Sequence, residues 1–281
     1  MGEKEARVSA VKKLQEDLKL LRKKMESIKH KVLIMSGKGG VGKSVLAANL
    51  AAIFSKKGYE VGILDADIHG PSIPKILGAH GKRLQLGPLG RIFPVKSSAG
   101  VRIFSMDFLL EESQPVIWRG PMKAVAIRQF LLDIVWGSLD ILLVDLPPGT
   151  GDEPLSIIQL LPDLDGTIIV TIPSVVSEMI VGKAVSFARE LRIPIIGIIE
   201  NMSGFICPKC GERINLFGEG GGERIAEKFS IPFLGRIPID PRISSSSDKG
   251  KPFIEEYPNS EASKELFEIA EKIRKFLEKR S

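Results

Sequence analysis

Two groups of residues in this sequence have the types and spacing that chemistry requires, and the first is a pair of cysteines. Cys207 and Cys210, in the segment FICPKCGE, are the only cysteines among 281 residues. Two thiolates at this spacing can share a metal, but tetrahedral sulfur sites usually take four ligands. The three histidines all lie far away in the sequence. The pair is therefore half of a metal site, a redox dithiol or an ordinary turn.

The second group is a glycine-rich segment with the pattern G-x-x-x-x-G-K-[ST], between an apolar strand-like run and a helical pattern. Glycines let backbone N–H groups surround phosphate oxygens, and the N-terminus of the following helix also favours an anion. Lys43 would neutralise the β- and γ-phosphates, and the Ser44 hydroxyl would bind Mg²⁺. The sequence therefore predicts an ATP and Mg²⁺ site formed by Gly37, Lys38, Gly39, Gly40, Val41, Gly42, Lys43 and Ser44.

Carboxylates at the ends of two predicted strands supply further groups that such a site needs. Asp145 ends the strand in ILLVDLPPGTGDE, where a Walker B acid would hold Mg²⁺ through water. Asp65 ends the strand in ILDADIHGPSIP, and Asp67 lies just beyond it in a loop rich in Gly and Pro. Asp67 can instead be a helix N-cap or a turn residue. The turn that follows Asp145 is typical of a switch loop that responds to a γ-phosphate.

The elements that must position these residues form an alternating pattern from residue 31 onward. Short β-branched runs alternate with helical patterns, which indicates parallel βαβ units, and several runs are continuously apolar, as in strands buried on both faces. We therefore predict an α/β fold: one doubly wound domain at 31–281, with a mostly parallel sheet flanked by helices. The predicted strands are 32–36, 61–65, 101–106, 141–145, 166–171, 195–200 and 233–235. The predicted helices are 43–57, 121–136, 153–161, 176–191, 220–229 and 262–279, with a hairpin-like excursion at 78–100.

Residues 1–30 are predicted to form a basic amphipathic helical arm. Residues 1–31 contain ten Lys or Arg and five Asp or Glu, whereas the other 250 residues contain 30 and 29. We expect the helix to dock on its own domain or to be a mobile extension, with self-association and reversible membrane contact as alternatives. Its apolar residues recur at steps of three and four, in a narrow stripe of Val11, Leu14, Leu18, Leu21, Met25 and Ile28.

The distribution of charge and the absence of long apolar runs limit the classes of partner and location that the sequence allows. The formal net charge of +6 belongs mostly to the arm, so the near-neutral body argues against nucleic acid as a partner. The sequence has no cleavable signal and no run near the ~18–20 apolar residues of a membrane span. A lone CxxC pair is typical of a reducing compartment. We expect a cytoplasmic protein without stable membrane association.

The extra lysine Lys38 makes the phosphate motif GKGGVGKS, which resembles the deviant Walker A of the family containing ParA, MinD and the nitrogenase iron protein. Within that family the chain is similar to the Mrp branch, also called ApbC, the P-loop iron–sulfur carrier ATPases. The similarity covers residues 32 to about 253. It is found in SGKGGVGKS, LDADIHGPSIP, WRGPM, DLPPGTGDE, ENMSGFICPKCGE and GRIPIDPRI. Some relatives have an additional N-terminal cysteine cluster, for which this chain has no further cysteine.

The resemblance implies roles for four residues outside the main phosphate contacts. Lys38 would reach across a dimer interface to the nucleotide of the other subunit. Asp67 would orient or deprotonate the attacking water. Asn201 in ENMS would read the adenine edge, and Asp240 in GRIPID would lie near the base. Without the resemblance, Lys38 is equally well a solvated loop lysine and Asn201 a turn residue at a strand end.

One CPKC knuckle per chain means that a four-thiolate site needs two chains, so the cysteines and Lys38 independently predict a homodimer. The resemblance implies a 4Fe–4S cluster that bridges this dimer through Cys207 and Cys210. Zinc in the same site, a redox dithiol and an inert turn are the alternatives. A thioredoxin-type pair is expected where a helix begins, whereas 205–212 is predicted to be an inserted loop within an insertion near 203–216.

The resemblance therefore implies a homodimeric ATPase that hydrolyses ATP slowly, holds a bridging 4Fe–4S cluster and transfers it to apo iron–sulfur proteins. The alternative is a ParA- or MinD-like positioning protein whose ATP-dependent dimer binds DNA or a membrane, with CPKC as a structural zinc site. The basic arm favours this alternative, and the near-neutral body and the CPKC insertion oppose it. A nitrogenase-like electron donor would need a different cysteine arrangement.

Overall fold

Strands and helices alternate along most of the chain. The structure, a computed structural model, describes residues 2–68, 70–109, 120–207 and 209–280. The strands are β1 (Ile28–Ser36), β2 (Val61–Asp65), β3 (Gln85–Leu86), β4 (Ile92–Phe93), β5 (Val95–Lys96), β6 (Arg102–Ser105), β7 (Leu139–Asp145), β8 (Gly166–Thr171), β9 (Ile195–Ile206), β10 (Arg213–Ile214) and β11 (Phe233–Ile239). The helices are α1 (Gly2–Met25), α2 (Lys43–Lys56), α3 (Ile73–Ile76), α4 (Gly120–Asp133), α5 (Asp152–Leu160), α6 (Val175–Glu190), α7 (Gly221–Phe229), α8 (Pro241–Asp248), α9 (Phe253–Glu256) and α10 (Glu261–Glu278). None of the described helices combines the length and apolar content needed to cross a bilayer.

The central sheet is mixed but mostly parallel. Its nine strands have the order β10-β9-β8-β1-β7-β2-β6-β5, and β11 pairs with β9. The antiparallel pairs are β5 with β6 and β10 with β9, while β3 and β4 form a separate hairpin within the predicted excursion. The predicted fold class is confirmed. Because the carboxyl ends of parallel strands meet at one edge, the predicted phosphate-site residues share that edge.

Burial on both faces of the sheet explains why its strands are continuous apolar runs. In β1, Val32 and Ile34 pack in one core with residues of α2 and α10. Leu33 and Met35 point to the opposite face and pack in a second core with residues of α4, α5 and α6. Successive side chains of a strand alternate between the faces, so a strand covered on both sides must be apolar throughout.

Strand β9 is longer than the sequence pattern predicts. It continues to Ile206 instead of ending at 200, because its last residues pair with two partners. Phe205 lies opposite Ile214 of β10 on one side and Ile239 of β11 on the other. The predicted inserted loop is therefore the tip of a β-hairpin that carries both cysteines.

The N-terminal helix α1 lies against its own domain. Leu21 and Met25 are each only 1% exposed and belong to the second core. Arg128 of α4 forms an ion pair with Asp17, with 3.3 Å between the charged atoms. The last turns of the arm are thus part of the domain core, and β1 begins only three residues after α1 ends.

Adjacent leucines in α1 provide a matched test of this docking. Leu21→Ala should lower the free energy of unfolding by about 2–5 kcal/mol, because it opens a cavity in the core. Leu20, which is 49% exposed, is the control, and Leu20→Ala should change stability by no more than about 0.5 kcal/mol. Denaturant unfolding of both variants measures the difference. Equal, small effects would show that α1 does not pack in the core.

Candidate functional site

The glycine-rich segment forms a loop between the end of β1 and the start of α2. Gly42 caps α2 in the left-handed conformation, with φ of 80°. A Cβ atom on Gly42 would lie 2.3 Å from the Asn201 side-chain nitrogen, so no other residue fits here without displacing that side chain. A Cβ atom on Gly40, also left-handed at φ of 76°, would meet nothing within 4 Å. The loop thus packs on β9 at one end and faces open space at the other.

That open space is a cleft of about 270 Å³. Its walls combine the backbone of the loop with the segment after β2 and the turn after β7. The cleft therefore offers a glycine-lined cradle at a helix N-terminus, which suits a phosphate group. The lining residues are Ser36, Lys38, Gly39, Gly40, Val41, Gly42, Lys43, Ser44, Val45, Asp67, Gly70, Ser72 and Pro148.

Asp145 joins the loop to the sheet through two short hydrogen bonds. The Lys43 ammonium donates to one carboxylate oxygen at 2.5 Å, and the Ser44 hydroxyl donates to the other at 2.5 Å. Asp145 is fully buried. Burial raises the pKa of Asp145, whereas the ammonium and hydroxyl groups act to lower it. A hydroxyl and a carboxylate oxygen beside an open phosphate cradle are the donors that Mg²⁺ prefers, so these residues fit the predicted ion.

Asp65 is a buried member of the site for which the sequence analysis predicted no role. It lies directly opposite Asp145 in the parallel pair of β2 and β7. The Oδ2 atom of Asp65 accepts hydrogen bonds from the N–H groups of Ser72 and Ile73, at 3.1 and 3.2 Å, and from the Ser105 hydroxyl at 3.0 Å. Burial, reinforced by the charge of Asp145, raises the pKa of Asp65 to about 8. The available signal was its position at the end of a strand adjacent to another such aspartate.

Asp67 and Lys38 both line the cleft. The Asp67 carboxylate accepts the N–H of Gly70 at 3.2 Å, and the Asp67 N–H donates to Asp65. The Ser36 hydroxyl donates to the Lys38 carbonyl at 2.9 Å, which holds the backbone of the loop. The roles of Asp67 with water and of Lys38 in a second chain stay predictions.

Asn201 lies against the phosphate loop. It is 7% exposed, and its amide donates to the Val41 carbonyl at 2.8 Å. This bond ties β9 to the middle of the loop. The recognition of an adenine edge by Asn201 stays a prediction, and its position beside the loop was not evident from the sequence.

Asp240 forms the N-cap of α8 and lines a second cleft. Its carboxylate accepts the Arg242 N–H at 3.0 Å and the Arg242 guanidinium at 2.6 Å. Burial opposes ionisation, but these bonds hold the pKa of Asp240 below its usual range. The second cleft has a volume of about 480 Å³. Its lining residues are Phe205, Ile206, Pro238, Ile239, Asp240, Pro241, Arg242, Glu261 and Ala262.

The two cysteines lie at the tip of the hairpin formed by β9 and β10. The Cys207 N–H donates to the Glu212 carbonyl at 2.9 Å, and the Gly211 N–H donates to the Cys207 carbonyl at 2.9 Å. Backbone N–H groups of Cys210 and Lys209 lower the pKa of the Cys207 thiol, which favours the metal-binding thiolate. Both thiols are free. In the described ranges, no group of three or more His, Cys, Asp or Glu side chains is arranged to hold a metal.

Exposed apolar side chains lie close to the cysteines in the sequence. Ile206 and Ile214 are 38% and 40% exposed on the two hairpin strands. Leu216 and Phe217, just after β10, are 57% and 49% exposed. Several exposed apolar side chains in one short segment are typical of a surface that another molecule covers.

Comparisons with known proteins show which family the chain resembles. The family model described as ParA, NUBPL iron-transfer P-loop NTPase, matches residues 27–274. An iron-sulfur cluster carrier protein from Methanocaldococcus jannaschii is 52% identical over 260 residues, which cover 92% of this chain and 88% of that protein. A cytosolic Fe-S cluster assembly factor, a NUBP2 homolog from Dictyostelium discoideum, is 48% identical over 84% of this chain and 91% of its own length. A nucleotide-binding protein from Archaeoglobus fulgidus, in complex with ADP, superposes with a TM-score of 0.75 at 40% identity, covering 85% of this chain and 93% of that one.

The hydrogen bonds of Asp65 predict how the site depends on this residue. Asp65→Ala should lower the free energy of unfolding by about 2–4 kcal/mol, because it leaves the buried N–H groups of Ser72 and Ile73 without an acceptor. Asp65→Asn retains an oxygen in the same place and should cost less than half as much. Thermal unfolding of the nucleotide-free protein compares the two variants. Equal losses would show that these hydrogen bonds do not hold the segment after β2.

Proposed function

Because this chain belongs to the ParA group of iron-transfer P-loop NTPases, we propose that it is an ATP-dependent carrier of iron–sulfur clusters. In this proposal, two chains hold one 4Fe–4S cluster as cargo between four thiolates. ATP binding and slow hydrolysis gate the transfer of the cluster to apo iron–sulfur proteins. The names of its relatives as iron-sulfur cluster carriers support the proposal.

The observation that most directly supports the proposal is the pair of free thiols on the exposed hairpin. A cluster or metal held by four thiolates needs two such pairs, and the sequence has only one. The lowered pKa of the Cys207 thiol favours the thiolate form, which is the form that would bind iron. Zinc in the same four-thiolate site is the alternative occupant, because four thiolates also suit zinc.

The phosphate loop and its buried carboxylate are proposed to bind ATP and Mg²⁺. Lys43 would neutralise the β- and γ-phosphates, and the N–H groups of the loop would surround their oxygens. Ser44 would bind Mg²⁺ directly and Asp145 through water; the bound ion would neutralise charge on the phosphate oxygens. Asn201 and Asp240 are proposed to contact the adenine base, with Asp240 in the second cleft.

Lys38 and Asp67 are proposed to complete the hydrolytic site. Asp67 would orient or deprotonate the attacking water, because its carboxylate lines the phosphate cleft. Lys38 would act on the nucleotide of the second chain and add positive charge to the transferred phosphoryl group only when two chains meet. Such an arrangement makes hydrolysis depend on the homodimer, and therefore on the state of the shared thiolate site.

The alternative function, a ParA- or MinD-like positioning protein, is not favoured. The basic arm that supported it packs Leu21 and Met25 in the domain core. We propose that the protein acts in the cytoplasm without nucleic acid or stable membrane contact, delivering clusters to apoproteins. The naming of the Dictyostelium relative as a cytosolic assembly factor supports this location.

The shared site predicts the stoichiometry of cluster binding. Anaerobic reconstitution with iron and sulfide should give one 4Fe–4S cluster per two chains, measured by absorbance, iron analysis and dimer mass. Cys207→Ser and Cys210→Ala should each abolish the cluster, because each removes two of its four thiolates from the dimer. Lys209→Ala, between the two cysteines, is the matched control and should retain it. A full cluster per chain, or an unchanged cluster in Cys207→Ser, would contradict the proposal.

The action of Lys38 across the interface can be tested by mixing two inactive variants. Lys38→Ala and Lys43→Gln should each lower ATP hydrolysis at least about tenfold as pure dimers. An equimolar mixture should recover about a quarter of the wild-type rate, because half of the dimers are mixed and each has one complete site. If Lys38 acts in its own chain, mixing restores nothing. Lys38→Ala mixed with Lys38→Ala,Lys43→Gln is the control and should stay inactive.

A further inference from the structure

We propose that the second cleft couples the nucleotide to the thiolate pair: a nucleobase bound against Asp240 contacts Phe205 and Ile206 and thereby changes the metal affinity of the hairpin. This inference rests on the proposed function, from which it takes the nucleotide and metal sites. The base is the part of the nucleotide that produces the effect, and the hairpin wall of the cleft is the element that responds.

One wall of the cleft is firmly held. Asp240 caps α8, and the Arg242 guanidinium lies 4.6 Å from the centre of the Tyr257 ring while bonded to Asp240. Ala262 at the edge of this wall is only 1% exposed and belongs to the core. This side of the cleft therefore provides a fixed reference for a ligand.

Another wall of the cleft is the base of the cysteine hairpin. Phe205 and Ile206 line the cleft, and Ile206 directly precedes Cys207 in the chain. The ion pairs of Arg213, on the outer strand β10, with Glu219 and Glu261 have 3.3 and 3.8 Å between charged atoms, and all three side chains are more than a third exposed. Exposed ion pairs hold weakly. Phe205 still pairs with β11, but among the described strands Ile206 pairs only with β10, so a ligand that contacts Ile206 acts on the lightly anchored part of the hairpin.

The chemistry of the walls suits a nucleobase. Pro238, Ile239 and Phe205 offer apolar surface to the faces of a flat ring, while the Asp240 carboxylate and the Arg242 guanidinium offer an acceptor and donors to its polar edge. A phosphate chain has no apolar face that could pack against Pro238, Ile239 and Phe205. The cleft therefore distinguishes a nucleotide from inorganic polyphosphate.

A single strand passes both clefts before it reaches the thiols. In β9, Asn201 bonds to the phosphate loop, and Phe205 reaches the second cleft four residues later, at most about 14 Å away along the chain. Between them Met202 and Gly204 have φ values of 57° and 79°, so the strand bends there. The bend separates the part of β9 that bonds to the phosphate loop from the part that lines the second cleft. Two routes to the thiols are thus possible, and we assign the coupling to the base.

The test compares ATP with inorganic tripolyphosphate as ligands of the wild-type protein. Co²⁺ affinity at the cysteines is measured anaerobically from the thiolate–cobalt absorbance, with buffered free Co²⁺ and excess Mg²⁺. Competition with a fluorescent ATP analogue establishes that both ligands saturate the phosphate loop. ATP should change the Co²⁺ affinity by about fivefold or more, as coupled sites commonly do, and tripolyphosphate should not. An equal effect of both ligands would overturn the proposal in favour of a route that starts from the phosphate loop.

Two isoleucines of the hairpin form a matched pair of variants. Ile206, 38% exposed, lines the cleft, whereas Ile214, 40% exposed on the partner strand, is not part of its lining. Ile206→Ala should abolish the effect of ATP on Co²⁺ affinity, and Ile214→Ala should retain it. Loss of the effect in both variants, or in neither, would overturn the proposal.

The cobalt signal also separates failure of this inference from failure of the proposed function. If the nucleotide-free wild type gives no thiolate–cobalt band, or one four-thiolate ion per chain, the shared metal site itself is wrong and the coupling fails with it. If the band forms with two chains per ion but does not respond to ATP, only the coupling fails. A response to ATP at that stoichiometry supports both.

Discussion

The buried carboxylate of Asp145 is the constraint on which the phosphate site depends. A charge at that depth is tolerated only because Lys43 and Ser44 both donate to it. Those two residues begin α2, so the bond pair fixes the start of the helix against the end of β7. The strand order makes this possible, because β7 lies between β1, which leads into the loop, and β2, which ends in Asp65. Removing Lys43 would leave an uncompensated buried charge, and removing Ser44 would leave the second carboxylate oxygen without this donor, so both bonds hold the loop to the sheet.

The contact of Asn201 with the phosphate loop extends this unit to β9. Gly42 leaves room for the Asn201 side chain, and the Asn201 amide satisfies the Val41 carbonyl. A side chain on Gly42 would therefore disturb both the helix cap and the packing of β9. β9 contacts the phosphate loop through Asn201 and ends in the hairpin that carries the cysteines. One strand therefore connects the loop contact with the thiols. Packed elements of this kind transmit displacement because protein interiors are dense.

Most of the fold follows from patterns that are local in the sequence. The apolar runs and the glycine motif predicted the strands and the P-loop, since burial on both faces leaves a strand no polar position. The extension of β9 was missed because ENMSG interrupts the apolar run, and the pairing that sustains it comes from β10 and β11, which are distant in sequence. The role of Asp65 was missed for the same reason, because its partner Ser105 meets it only after β2 and β6 pair. Local composition predicts elements, whereas long-range pairing decides which polar groups meet.

The division of a four-thiolate site between two chains has an energetic consequence in the proposed carrier. Four thiolates in one chain would bind a metal with the full free energy of a preformed site, and release would require that chain to unfold locally. With two thiolates per chain, the second pair contributes only while the chains are held together, at an effective concentration set by their contact. Affinity then falls when the chains separate, without any change in the ligands themselves. The nucleotide site can therefore govern retention of the cluster by governing the contact between chains, and an exposed, lightly anchored hairpin is the form of site that such control needs.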